Sequence, residues 1–561
     1  MLPGLMQETP LGLRLIAMRA GDQFARRTVT TKTATGFVTA TYGDVIVRAG
    51  RLASSLAREF GVRVGDRVGT LAWNSQAHLE VSIAVPGMGA VLHAINARLD
   101  PKTIASLIAE ADDRVVFVDR VLLDLWGQVD IPACVRAVVL LDGDGSGGEA
   151  AAGAVSARVT EGETLIAAGS VDFAWPILPE NAALGLCFTS GTTGRPKGVL
   201  YSHRAIVLHS LAMLAADGIG LRERDVCLPI VQQFHANGWG FPYASLLAGA
   251  SLAFAGKATD PDSLAATIAH AKVTVATAVP TVWAGLLDAV QAGRIGRDKL
   301  ASLDRLPVGG AVASEKLIDG FGALGIRVMH CWGMTEISPL GTVNGGPRAT
   351  LTDPAERLAT RNAQGLTLPL CTIRIVDAQG GILARDGKAT GELQITGPWV
   401  ARGYFDAAAP ELGHRPPASF VADSDGTTWL KTGDLATIDA EGYVRLVDRA
   451  KDLVKSGGEW ISSVMLEAAL MDHPTVLEAA VIARPHPKWD ERPVAYVVST
   501  AGADVNTADL ILHLSSRFAK WQLPDCIISV AQLPKGATGK IDKRALRELD
   551  RRQHMAQEEG A

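Results

Sequence analysis

Short apolar runs recur along the first 330 residues, several of them alternating with stretches whose apolar positions repeat with helical spacing. Runs at 67–73, 89–95, 115–118, 137–141 and 183–188 read as buried strands, as do 226–231, 251–254, 273–279, 305–308 and 326–329. Helical stretches at about 41–60, 75–85 and 104–109 alternate with the first of them, the one at 41–60 having an apolar face of Val45, Val47, Leu52 and Leu56. Strands without a polar face, alternating with helices, predict a parallel sheet covered on both sides. The texture changes near residue 368. Pieces at 372–376, 391–395 and 427–430 sit between Gly and Asp turns, which predicts a small antiparallel sheet or barrel. The last portion, about 110 residues, has strands at 479–483 and 494–499, a helix at 508–520 and a turn-rich segment at 533–541. It is the size of a separate small domain. The Gly-, Ala- and Ser-rich stretch 143–163 reads as an exposed connection.

Composition removes several classes of function. A net charge of −5 gives no global attraction to nucleic acid or anionic lipid. The basic run 543–552 is interleaved with Glu548 and Asp550 and reads as a solvated helix face. Six cysteines contain no CxxC pair, which argues against a zinc framework and for a reducing compartment. The N-terminus has no signal-peptide pattern. The longest apolar run, 81–95, is broken by Pro86, Gly87, Gly89 and His93 and is too short to span a bilayer. A cytoplasmic enzyme without an integral membrane segment is expected.

The stretch Phe188-Thr189-Ser190-Gly191-Thr192-Thr193-Gly194-Arg195-Pro196-Lys197-Gly198 reads as a phosphate loop rather than a plain surface loop. Its hydroxyls can donate to phosphate oxygens, its glycines allow turns that aim N–H groups at one anion, and Arg195 and Lys197 add charge. A strand enters it, and a helix from about 205 to 215 is predicted to leave it. The spacing is not that of a Walker loop, which needs Gly-Lys-Ser/Thr opening the helix.

This loop resembles that of the adenylate-forming superfamily: acyl-CoA synthetases, peptide-synthetase adenylation domains and luciferases. Further motifs follow in family order. They are Phe234-His235-Ala236-Asn237-Gly238-Trp239-Gly240, Val308-Gly309-Gly310-Ala311, His330-Cys331-Trp332-Gly333-Met334-Thr335-Glu336, Trp429 to Asp434, Arg449 with Lys451, Lys455 to Ser462, and Pro534 to Ile541. The resemblance implies an acetyl-CoA synthetase-like α/β fold. Its large N-terminal domain (1–447) has parallel α/β subdomains and a small β-barrel. A hinge (448–452) joins it to a small mobile α+β C-terminal lid (453–561).

The resemblance also implies residue roles. Thr189, Ser190, Gly191, Thr192, Thr193, Gly194 and Lys197 would hold ATP phosphates. Gly310, Ala311, His330, Cys331, Trp332 and Gly333 would line the adenine and acyl-adenylate, with His330-Cys331 departing from the Gln-plus-small pattern of many relatives. Thr335 would touch the α-phosphate, and Glu336 with the Thr189 hydroxyl would hold Mg²⁺. Asp434 and Arg449 would bind ribose. Lys451 would be the hinge, and Lys455 and Trp460 would face the adenylate during thioester formation. His235 would lie at the substrate carboxylate, with Trp239 and Gly240 at the acyl tunnel. Lys540 would neutralise charge on the carboxylate and α-phosphate. The form Ser-Gly-Gly-Glu-Trp-Ile-Ser is similar to medium- and long-chain fatty acyl-CoA synthetases and methylmercaptopropionate-CoA ligases. The implied reaction joins a carboxylic acid to CoA with ATP, through an acyl-adenylate. Aryl-alkanoic acids, or a carrier-protein thiol in place of CoA, are the alternatives, and a homodimer is expected from related long-chain enzymes.

Overall fold

The computed structural model describes residues 2, 4–142, 158–189, 196–406, 419–457, 459–500, 505–536 and 540–558. Two sheets build the large N-terminal part. The first has seven strands in the order Arg158–Glu161, Ala137–Leu141, Asp113–Asp119, Arg67–Leu71, Val91–Ala94, Ala183–Phe188 and Gly198–Ser202. All pair in parallel except the last. The second has nine strands. Six of them, Thr28–Lys32, Ser251–Phe254, Val226–Pro229, Val275–Thr277, Arg305–Val308 and Arg327–Gly333, form a continuous parallel block. Buried runs such as Val115 to Val118 have no polar face because helices cover both sides of the sheet.

Several segments differ from the sequence expectation. The phosphate-type stretch does not pass straight into a helix. Strand Gly198–Ser202 folds back antiparallel on Ala183–Phe188, because Val199 and Tyr201 are buried on the returning strand. Helix His203–Leu214 starts only after it, capped by the Ser202 hydroxyl accepting from the Ala205 N–H. Val47 is exposed, so the face of helix Tyr42–Phe60 is narrower than expected. The end of the expected connection is ordered: Arg158–Glu161 is an edge strand and Gly162–Ala168 a helix. A Cβ on Gly162 would lie 2.9 Å from the Leu140 carbonyl oxygen, which fixes that residue type. The residues 143–157 of that connection lie outside the described ones.

The unit after residue 368 is a five-stranded antiparallel sheet built around the long strand Thr428–Ile438. That strand runs well past the expected 427–430, so Asp434 lies inside it and pairs with Arg449 of strand Val444–Arg449. The C-terminal domain has its own sheet, with hairpin Val454–Ser456 and Glu459–Ile461 beside strands Val476–His486 and Asp490–Ser499. Helix Thr507–Ser515 ends earlier than expected. Helix Lys543–Glu558 is not simply a solvated basic face: Leu546 and Asp550 are buried, and Asp550 accepts from the Tyr496 hydroxyl at 2.6 Å and from Arg484 Nε at 2.9 Å. Among the described residues, no helix is long and apolar enough to cross a membrane. All six cysteines are free thiols.

One buried ion pair anchors the strand that ends at Gly309-Gly310. Arg305 Nη2 lies 2.7 Å from Asp225 Oδ2, with each side chain 4% exposed. Arg305 Nε donates to the Ile219 carbonyl, Nη2 also to the Gly220 carbonyl, and Nη1 to Asp225 Oδ1 and to the exposed carboxylate of Asp304 at 2.6 Å. Asp225→Ala leaves that guanidinium buried with its main partner gone, which costs about 3–5 kcal/mol. The expected outcome is a lowered denaturant midpoint in equilibrium unfolding.

Candidate active site

The ends of both parallel sheets and the antiparallel unit converge on one region. Thr189 closes the base of the phosphate-type hairpin: its N–H donates to the Lys197 carbonyl at 2.9 Å, and its hydroxyl oxygen accepts from the Lys197 N–H at 3.1 Å. Of the residues between, Ser190, Gly191, Thr192, Thr193, Gly194 and Arg195 lie outside the described ones. The Lys197 ammonium sits 4.8 Å over the Tyr404 ring. The Tyr404 hydroxyl donates to Glu336 Oε1 at 2.8 Å. Burial raises the Glu336 carboxyl above its ordinary range, opposed by the Tyr404 bond and by the charges of Lys197 and Arg449. Beside it, the Tyr201 hydroxyl donates to the Thr335 carbonyl at 2.8 Å. Thr189, Lys197, Thr335 and Glu336 are thus drawn together through two tyrosines that no motif announced.

A second group surrounds the turn at Gly309-Gly310. Gly310 has φ +84°, a conformation that disfavours side chains, and a Cβ there would lie 2.9 Å from Lys540 Cε. A Cβ on Gly309 would lie 3.0 Å from the Cys331 carbonyl oxygen and 3.3 Å from the Trp239 ring. Lys540 comes from the far end of the chain. Burial lowers its pKa to about 8, assisted by the nearby Arg449 cation and opposed by Asp434. Arg449 Nε is 3.2 Å from Asp434 Oδ1, while Trp332 Nε1 donates to Asp434 Oδ2 at 2.8 Å. The carboxylate is held from both sides yet keeps lone pairs free for other donors. Gly333 fits because a Cβ would lie 1.8 Å from the Pro339 carbonyl oxygen.

The stretch after His235 has an unusual backbone. Ala236, Asn237, Gly238, Trp239 and Gly240 all have positive φ, between +45° and +73°, making one left-handed turn. Each residue with a side chain costs roughly 1–2 kcal/mol in that conformation. The turn carries the Trp239 indole to Gly309, and it packs Gly240 so tightly on the His209 ring that a Cβ would lie 2.8 Å from it. His235 precedes the turn, with its ring against Phe234.

Other expected residues are exposed or have their side chains engaged elsewhere. Buried His330 is turned into the protein, where Nε2 accepts from the Ala313 N–H at 3.4 Å and Nδ1 faces Gln364 at 3.5 Å. Burial lowers its pKa to about 4, so it is neutral. The thiol of buried Cys331 donates to the Met329 carbonyl. Ala311 is exposed beside the turn, and Lys451 is exposed in the turn after Arg449. Lys455 pairs with Asp490 at 3.3 Å, and Trp460, 56% exposed, faces it across the hairpin. Both have their partners within the C-terminal domain.

A large α/β domain whose glycine turn receives a lysine from a small C-terminal domain is the architecture of an adenylate-forming enzyme. Comparison with known proteins agrees. The model of the AMP-binding enzyme family matches residues 19–405, and that of the AMP-binding enzyme C-terminal domain matches 465–540. The long-chain-fatty-acid–CoA ligase of Thermus thermophilus is 43% identical, covering 97% of both chains. The medium-chain-fatty-acid–CoA ligase of Ectopseudomonas oleovorans is 42% identical, covering 93% of both. The 3-methylmercaptopropionyl-CoA ligase of Ruegeria lacuscaerulensis is 41% identical over 97% of this chain and 98% of the relative. Among solved structures, ATP-bound MatB from Rhodopseudomonas palustris superposes with a TM-score of 0.77 at 27% identity, covering 96% of this chain and 99% of that one. The chain belongs to the AMP-binding enzyme family.

The contact between Gly310 and Lys540 can be tested without substrate. Gly310→Ala places a methyl group where Lys540 Cε now passes, and the lysine is expected to be displaced. Mass spectrometry after brief treatment with an amine-reactive reagent is expected to show several-fold faster modification of Lys540 in the variant.

Proposed function

We propose that this enzyme activates a medium- to long-chain fatty acid with ATP and transfers the acyl group to CoA. Its class is acid–thiol ligase, with AMP and pyrophosphate as the other products. The observation that carries the reading is the position of Lys540: a cation from the C-terminal domain sits against Gly310, beside Asp434 and Arg449. The medium- or long-chain preference rests on the two fatty-acid ligases among the most similar relatives.

In the first half-reaction, a carboxylate oxygen attacks the α-phosphate of ATP and pyrophosphate leaves. The loop from Thr189 to Lys197, Ser190 to Gly194 included, holds the β- and γ-phosphates. Thr335 lies along the α-phosphate. Asp434 accepts from the ribose hydroxyls, with Arg449 at its side. Gly310, Ala311, Cys331, Trp332 and Gly333 frame the adenylate, and His330 supports that frame from beneath. His235 lies at the acid's carboxylate, and Trp239 and Gly240 border its acyl chain. Lys540 offsets negative charge that grows as the acid and the α-phosphate meet. Catalysis is by positioning and fixed charge, with no covalent enzyme intermediate. In the second half-reaction, the CoA thiolate attacks the acyl carbon and AMP leaves. For that step the C-terminal domain (453–561) turns on the hinge 448–452 at Lys451, bringing Lys455 and Trp460 to the large domain (1–447).

Magnesium fits the residues present. Among the described residues, no three of His, Cys, Asp or Glu gather as a metal cluster. A magnesium ion that takes most of its ligands from phosphate and water needs only one or two carboxylates. Glu336 offers the oxygen that Tyr404 does not bind, and the Thr189 hydroxyl keeps a second lone pair. When bound, the ion supplies positive charge to the ATP phosphates. A cytoplasmic homodimer completes the proposal, the dimer to be checked by light scattering.

Lys540→Ala is expected to lower ATP–pyrophosphate exchange by about 10²–10³, while supplied acyl-adenylate still reacts with CoA. Unimpaired exchange in this variant would sink the assignment. The pKa near 8 sets a pH dependence. The ammonium loses its charge as pH rises through about 8, so kcat/KM for adenylation, which reports the free enzyme, falls above that pH. Lys540→Arg keeps its charge and is expected to lack this alkaline limb. Hydroxamate formation across acids of increasing length is expected to peak in the medium- to long-chain range.

A further inference from the structure

The contact that puts Lys540 at Gly310 also requires the two domains to hold one orientation, and a second, distant contact secures that orientation. Helix Glu315–Gly322 belongs to the large domain and helix Ser463–Asp472 to the C-terminal domain. The N-terminal turn of the first meets the last residue of the second. The Lys316 backbone N–H, a donor that no intrahelical carbonyl can satisfy at this position, donates to Asp472 Oδ1 at 3.2 Å. The Lys316 ammonium reaches the carbonyls of Pro474 and Val476, each at 3.5 Å. Asp472 Oδ2 also accepts from Arg517 Nη1 at 2.6 Å, and Arg517 Nη2 lies 3.8 Å from Glu315 of the large domain. Asp472 is 7% exposed, so the bridge is screened from water on that side.

We propose that Lys316, with Asp472 and Arg517, forms a positioning clasp that holds the C-terminal domain in the orientation that inserts Lys540. Lys316 is a positioning residue: it acts through Lys540 and touches no substrate. The clasp joins chain segments on either side of residues 448–452. A domain that turns there to admit CoA must open it, so the clasp stabilises the adenylating arrangement against the thioester-forming one. This inference rests on the two half-reactions proposed above.

The test separates the half-reactions. Lys316→Ala, which removes the ammonium's contacts with the Pro474 and Val476 carbonyls, is expected to lower kcat for ATP–pyrophosphate exchange about ten-fold, with KM for the acid unchanged, because Lys316 touches no substrate. Thioester formation from supplied acyl-adenylate is expected to be unchanged or faster. Lys316→Arg, which keeps the charge, should restore most of the exchange. Arg517→Ala, an exposed site whose loss should not prevent folding, is expected to shift the balance in the same direction. An equal fall in both half-reactions, or no change in either, overturns the clasp. Absence of exchange in the unaltered enzyme with every acid tried would instead overturn the function on which it rests.

Discussion

The placement of one ammonium group organises the candidate site. Lys540 lies near the end of the chain, yet its side chain occupies space that Gly310 leaves open. A lysine drawn out of water in this way resists being charged, and the neighbouring Arg449 adds to that cost. Asp434 offsets part of it and is itself held by Trp332 and Arg449. The free enzyme therefore holds a cation that is incompletely balanced. A substrate bringing negative charge supplies the remainder, which is the condition under which fixed charge is most effective in a site poor in water.

Around this group the backbone is constrained in several places. The left-handed turn from Ala236 to Gly240 persists only because its surroundings determine it, and what it achieves is to set Trp239 on Gly309. Gly309, Gly310 and Gly333 each permit an approach that a methyl group would block. The wall built from these close contacts is rigid, while the cation that completes it arrives on a separate domain. That division explains why contacts remote from the site, such as Lys316 with Asp472, bear on its chemistry.

Much of this was legible in the sequence because the signals were local. Apolar runs such as 137–141 and 251–254 became strands at those same bounds, since a strand buried on both faces has no polar position. The loop containing Thr189 could be picked out because it is a dense cluster of hydroxyls and glycines, whereas Glu336, Asp434 and Lys540 stood out only through the resemblance of their motifs to those of the adenylate-forming superfamily. Tyr201 and Tyr404 could not. Each is a single aromatic residue in an ordinary context, and its importance lies in a hydroxyl aimed at Thr335 or Glu336 from more than sixty positions away. Lys316 and Asp472 are likewise unremarkable surface residue types until two helix ends are brought together. The basic run at 543–552 misled for the same reason: its charge pattern is that of a solvated helix, but Asp550 meets Arg484 and Tyr496 only in the folded domain.

The sequence by itself determined the alternation of strand and helix, the glycine positions and the reactive side chains, because these depend on periodicity and on residue type. Only the tertiary structure decided which of those side chains share a site. His330 turned inward to Ala313 and Gln364, Lys455 and Trp460 remained with the C-terminal domain, and Lys540 crossed to the large one. Those outcomes depend on how two domains pack, and a linear pattern does not encode the long-range contacts through which desolvation and charge are balanced.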